Sequence, residues 1–284
     1  MGNLTASTLP STAWWPPVRY RTFSALVSAG FRRYSTYRQA TLAGIFTNVV
    51  FGFLRCYVFL AVAEGVGGNV AGYRSAQIVA YVWVTQGLLA TVGMWGDTNL
   101  ADRIRTGDVV ADLLRPIPPV LSYLATDLGR AGFAMLTRFA TPVLLGAMVF
   151  DFYLPQRVLT YPLFLVSVLL ATVTSFACRY AVNACAYWLL DARGPQLAWT
   201  VASNVLSGLY FPLAFLPGWL YLLLWWGTPC PGLLQGPVDV LVERYSTVGQ
   251  LGVLAGQLAW ASLTLAFAGY LQRRGERRMV VQGG

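Results

Sequence analysis

The sequence predicts an all-α integral membrane protein with six transmembrane helices, an N-terminal amphipathic interfacial helix, and an extracytoplasmic re-entrant helical hairpin between spans five and six. Three observations predict it. Of the 284 residues, 56% are hydrophobic and only 11% charged, well under half the charged share of an average soluble domain. The apolar residues fall in runs of about 20, the length that crosses a hydrocarbon layer. Arginines gather mainly between those runs, as loops beside a membrane require. The length leaves no room for a folded soluble domain as well.

Residues 1–17, rich in Ser, Thr and Pro and closing on Trp14, Trp15, Pro16 and Pro17, suit an irregular tail near a headgroup layer. Over 18–40, Phe23, Leu26, Val27, Phe31, Tyr34 and Tyr37 share one face at helical spacing while Arg21 and Arg32 point away. That pattern predicts an amphipathic helix in the interface, although packing against protein would give the same periodicity. The membrane-spanning body is 41–270. Its first two spans are 41–63 and 76–95, joined by a Gly-rich link, and a third is drawn from about 131 to 150. Residues 158–190 are too long for one upright helix and too short for two, which predicts one tilted span. A fifth span covers 197–216. The apolar run 219–226 is too short to cross and precedes Thr228, Pro229, Cys230 and Pro231, so 217–245 is read as a hairpin of short helices. A sixth span, 248–270, leads to a basic tail, 271–284.

Orientation follows from the arginines. One side collects Arg19, Arg21, Arg32, Arg33 and Arg38, then Arg103, Arg105, Arg115 and Arg130, then Arg193, then Arg273, Arg274, Arg277 and Arg278. The other side holds Arg74, Arg157 and Arg244. The excess puts both termini in the cytoplasm of a multi-pass protein of the cell membrane, and six spans is the count consistent with it.

Composition also excludes chemistry. The chain has no lysine and no histidine, so it can build no Walker A loop and lacks the commonest base and metal ligand. No metal site, no catalytic residue and no nucleotide site are expected in the chain. The formal charge of +9 is explained by topology, and a nucleic-acid partner is not expected. Cys56, Cys178, Cys185 and Cys230 show no C-x-x-C spacing, predicting free thiols. The first forty residues show no cleavable signal pattern.

The longest polar segment between spans, 97–119, reads DTNLADRIRTGDVVADLLRPIPP. Asp97 or Asn99 can cap one short helix, Gly107 breaks the chain, Asp108 can cap a second through Leu114, and Pro116 stops it. Such an elbow can dock a partner protein. Its acids, Asp97, Asp102, Asp108 and Asp112, alternate with arginines as on solvated helix faces, and catalysis there is not expected.

LLRPIPP at 113–119, preceded by Arg-Thr-Gly-Asp at 105–108, resembles the cytoplasmic loop of type-2 permeases of ATP-binding-cassette (ABC) exporters, in particular the bacterial drug-export branch related to daunorubicin and viologen efflux. SGLYFPLAFLPGW at 207–219, with Pro229, Pro231 and Pro237 downstream, resembles the end of the fifth span and the outer hairpin of that family. The resemblance implies a dimer of six-span permeases, alike or paired with a sister chain, carrying two separate ABC ATPase subunits that hold the ATP and Mg2+. It assigns the coupling surface to Leu100, Arg103, Ile104, Asp108, Val109, Leu113, Leu114, Arg115 and Pro116, and the outer hairpin to Pro212, Pro217, Trp219, Pro229 and Pro231. The cargo it implies is an amphipathic drug, antibiotic or lipid-like molecule.

Within the spans, Arg55, Arg138 and Arg179 stand out, because a guanidinium in hydrocarbon costs about 2.5–3.5 kcal/mol on insertion scales. Arg138 and Arg179 are expected to snorkel towards the inner headgroups. Arg55, with Asn48 seven residues earlier on nearly the same face, is a candidate for a dimer interface or substrate path, with an intramolecular hydrogen bond as the plainer reading. Asn183, Asn204 and Ser207 are further path candidates, although such residues also join helices. Trp219, Trp225 and Trp226 fit an interfacial belt. An ion-coupled transporter or an intramembrane lipid-modifying enzyme would need carboxylates or a nucleophile cluster at a defined depth, and the drawn spans contain neither Asp nor Glu.

Overall fold

The computed structural model describes residues 20–65, 67–95, 99–189 and 191–282. The N-terminal tail with Trp14–Pro17, Arg19 and the proposed cap Asp97 lie outside the described residues.

Helix α1 (Tyr20–Ser35) is followed after a two-residue break by α2 (Arg38–Gly65). A two-residue hairpin, β1 (Asn69–Val70) against β2 (Tyr73–Arg74), fills the Gly-rich link. Next comes α3 (Ser75–Leu88), which runs into a π-helical turn, Leu89–Gly93. The elbow is two helices, α4 (Asn99–Thr106) and α5 (Val109–Leu113). A third long helix is built from α6 (Pro119–Ala134), a π turn at Met135–Phe139 and α7 (Ala140–Val149). Then follow α8 (Thr160–Ala184), α9 (Arg193–Leu206), α10 (Gly218–Gly227), α11 (Gln235–Leu241) and α12 (Thr247–Gln282).

Five of these helical runs are long and apolar enough to cross a membrane: Arg38–Gly65, Ser75–Gly93, Pro119–Val149, Thr160–Tyr187 and Thr247–Arg278. The third starts at Pro119, a dozen residues before the sequence places it. Asp127 and Arg130 there read as loop, but they satisfy each other one turn apart. The fifth predicted span, 197–216, is not one helix. α9 ends at Leu206, and its 14 residues reach about 21 Å, short of the roughly 30 Å hydrocarbon layer. Gly208, at φ +86°, adopts a left-handed conformation open to glycine, and Pro212 prevents the helix from resuming.

α3 is the centre of the bundle, with every residue from Gln77 to Leu88 buried. Trp83 lies between Gly52 of α2 and Gly146 of α7, where a Cβ would stand 2.8 Å and 2.3 Å from its ring. Small residues thus let three backbones approach. α2 buries only Asn48, Gly52, Cys56 and Ala63; Leu42, Phe46, Phe51, Leu54 and Val58 are exposed, as lipid-facing side chains of a span would be. α1 crosses α6 closely: a Cβ on Gly30 would fall 2.2 Å from the Thr126 carbonyl oxygen, and one on Gly129 2.0 Å from that of Val27. The amphipathic helix therefore turns one face to protein. α12 packs along α8 and carries the basic segment predicted as a tail.

Candidate functional site

The elbow forms as its punctuation predicts. Gly107, at φ +84°, separates α4 from α5. Asp108 is helical in backbone and makes no capping bond, a difference from the sequence reading: its carboxylate instead accepts the Thr106 hydroxyl at 2.8 Å. Asn99 is the first residue of α4 rather than its cap.

One face of the elbow is built into the bundle. Leu100 and Val109, 3% and 0% exposed, join Val120 and Leu124 of α6, Phe176 and Tyr180 of α8 and Ala268 of α12 in one apolar cluster, with Ile104 at its edge. Beside it Asp112 is buried, although alternation with arginines had suggested an open face. Its carboxylate accepts Arg103 Nε at 2.7 Å and the Tyr123 hydroxyl at 2.9 Å, with Arg115 at 3.5 Å. A buried carboxylate is tolerated only with such partners. The other face is open: Arg105, Asp108, Val110, Leu114, Arg115 and Pro116 are exposed, and Leu113 is half-buried.

Above the elbow, Asp127 of α6 accepts Arg130 Nε at 2.7 Å and Arg179 Nη2 of α8 at 3.0 Å. Arg179 is buried here and does not snorkel, because Asp127 supplies its counter-charge. Arg130 also donates to the carbonyls of Ala90 and Thr91 in the π turn of α3, which α-helical pairing leaves open. Ser175 of α8 donates to the Gly93 carbonyl at 3.2 Å. Three membrane helices are thus tied at one level, directly over the elbow. Arg138 sits against Gly44 of α2, a half-buried position with its Nε unpaired.

The opposite end holds a second network. Asp239 of α11, fully buried, accepts Tyr73 Oη and, at 2.9 Å, Gln235 Nε2, with Arg244 at 3.8 Å. Gln235 Oε1 in turn accepts Tyr81 Oη and the Leu213 N–H, each at 2.9 Å. Glu243 accepts the Thr160 hydroxyl at 2.6 Å, the Arg157 N–H at 2.9 Å and the Tyr153 hydroxyl at 2.8 Å. Burial works against its charge, but these donors outweigh it and hold the carboxyl down at about 2. Arg74, Arg157 and Arg244 all meet here, the three arginines that the sequence assigned to the far side.

The polar span residues bond within the chain. Arg55 donates to the Leu209 carbonyl, just past the end of α9, and lies over Phe59. Asn48 Nδ2 donates to the Gln86 carbonyl at 3.1 Å. Asn183 bonds the Arg179 carbonyl and Gln196; Asn204 accepts the Trp95 indole N–H. Ser207 is buried with its Oγ unpaired, while its carbonyl accepts the Gln235 N–H. At the far end Pro217 stands at the start of α10, which exposes Trp219 and Trp226; Pro231 is buried, Pro229 flanks the Cys230–Gly232 turn, and Pro212 precedes another. The residues missed from sequence are the buried acids and their partners, Asp112, Asp127 and Asp239. An Asp and an Arg three apart at 112–115 and 127–130 were the available signal.

A profile described as ABC-2 family transporter protein matches residues 46–283, from the middle of α2 past the end of α12. The chain belongs to the ABC-2 transporter family. No curated protein matches it. As an ABC-2 permease it is a multi-pass membrane component of a transporter, and the elbow lies inside the matched region.

Proposed function

We propose that this ABC-2 permease forms the translocation path of an exporter for an amphipathic or hydrophobic cargo, driven by two ABC ATPase subunits seated on the open face of the elbow. ATP and Mg2+ belong to those subunits. The chain crosses the bacterial cell membrane six times with both ends in the cytoplasm, α9 and the irregular segment after it making the fifth crossing. α10 and α11 form the re-entrant hairpin on the far side. A second permease, identical or a sister chain, completes the complex.

The observation that carries this reading is the elbow's division into two faces. Leu100, Val109 and Asp112 fix it to α6, α8 and α12, and the Asp127 triad ties α6 and α8 to the end of α3 directly above. A push on α4 and α5 therefore reaches three membrane helices through rigid contacts. The ATPase shifts the balance of inward and outward packing only if it grips the open face differently in the two states. The buried carboxylates do not favour ion coupling, because Asp127 and Asp239 are each already held by arginine and hydrogen-bond donors.

Leu114, 82% exposed, tests the face without disturbing the bundle. Leu114→Asp is expected to leave the purified permease folded while abolishing its stimulation of the ATPase. Unaltered stimulation would place the ATPase elsewhere.

A further inference from the structure

We propose that the cleft between α1 and the elbow binds an anionic phospholipid, the headgroup phosphate being taken by Arg33 and Arg115. The cleft holds about 550 Å3 and is walled by Arg33 and Tyr34 from the last turn of α1, Arg103 and Arg115 from the elbow, and Ser122 and Tyr123 from the start of α6. The inference rests on the chain lying in a membrane and not on its coupling to an ATPase.

Depth follows from the third long helix. Its 31 residues rise about 46 Å, the thickness of a bilayer with both headgroup layers. Ser122 and Tyr123, in its first turns, then stand at headgroup level. α1 lies alongside, packed on α6 through Gly30 and Gly129, so the cleft is rimmed by a helix that belongs at the membrane boundary.

Charge selects the ligand. Asp112 is shared between Arg103 at 2.7 Å and Arg115 at 3.5 Å, one carboxylate against two guanidiniums. Asp127 at the back is committed to Arg130 and Arg179, and Asp102 pairs with Arg105. Arg33 has no carboxylate partner among the described residues. Three arginines and three aspartates line the cleft, but each aspartate is already paired with an arginine. That leaves Arg33 and the loosely held Arg115 to take an anion, and guanidiniums grip phosphate through paired charge-assisted hydrogen bonds. Basic pockets between membrane helices take anionic headgroups in this way, whereas a choline or ethanolamine head would bring its own cation towards Arg33.

The test uses the full chain in nanodiscs of mixed phosphatidylglycerol and phosphatidylcholine, extracted into mild detergent, with retained lipid counted by native mass spectrometry. Phosphatidylglycerol is expected to be retained over phosphatidylcholine, and Arg33→Gln and Arg115→Gln each to lower that retention about fivefold. Arg32→Gln, which removes the same charge one residue away but does not line the cleft, is expected to leave it unchanged. Equal losses from Arg32→Gln and Arg33→Gln would show diffuse attraction and overturn the site. Displacement of the lipid by millimolar inorganic phosphate would show a soluble-anion site instead. If Arg33→Gln weakened capture of the ATPase while lipid retention stayed at the wild-type level, the cleft would be a protein contact and the proposal would fail.

Discussion

Replacing Asp127 by Asn removes one negative charge from between the buried guanidinium of Arg179 and the part-buried one of Arg130 while leaving the side chain's shape. The Arg130 guanidinium keeps the Ala90 and Thr91 carbonyls. Arg179, its side chain 7% exposed, loses its carboxylate partner at 3.0 Å. Charge-assisted hydrogen bonds contribute about 1.5–3 kcal/mol each, and breaking a buried pair by removing one partner costs about 3–5 kcal/mol. Equilibrium unfolding in mixed micelles should therefore show Asp127→Asn less stable by about 3–5 kcal/mol. Removing the stranded charge as well, in Asp127→Asn with Arg179→Met, should recover about 2 kcal/mol or more, since an apolar replacement of a buried pair is often neutral. A single variant within about 1 kcal/mol of wild type, or a double variant no better than the single, would refute the idea that this triad locks the helices above the elbow.

Arg55→Leu strips the Leu209 carbonyl of its donor where α9 breaks, and is expected to cost about 1–3 kcal/mol with partial recovery by Arg55→Lys, read by the same unfolding assay; no loss would leave the buried guanidinium unexplained. Glu243 is held at about 2 from an ordinary 4.5. Its contribution is therefore complete above about pH 4.5 and lost as pH falls towards 2. Melting curves of wild type and Glu243→Gln should converge over that window, and parallel curves would contradict the assignment.

Much of the fold is legible because long, mostly apolar runs admit one reading in a bilayer: α2, α3, α8 and α12 all lie where such runs stand. The elbow was legible from Gly107 and Pro116, residues whose backbone limits act locally. What was not legible depends on partners far along the chain. Asp127 looks like a loop acid until Arg179, 52 positions on, is packed against it. Asp112 looks solvated until Tyr123 and Arg103 close over it. The 197–216 run has the length and average apolarity of a span, so its break at Gly208 shows only in the conformation and in the Tyr81 hydroxyl, the Gln235 backbone N–H and the Arg55 guanidinium that gather the freed carbonyls. Arg55 and Asn48 share a face as the periodicity indicates, but what that face meets, α3 and the end of α9, is tertiary information.

The central claim is that work enters this permease from a separate ATPase through the elbow. Reconstituting the purified chain in proteoliposomes with and without its ABC ATPase, and following ATP-dependent movement of a fluorescent amphipathic dye, tests it directly. Transport is predicted only when the ATPase is present and only with the elbow's open face intact. Dye movement by the permease alone, or transport undiminished in Leu114→Asp, would contradict it.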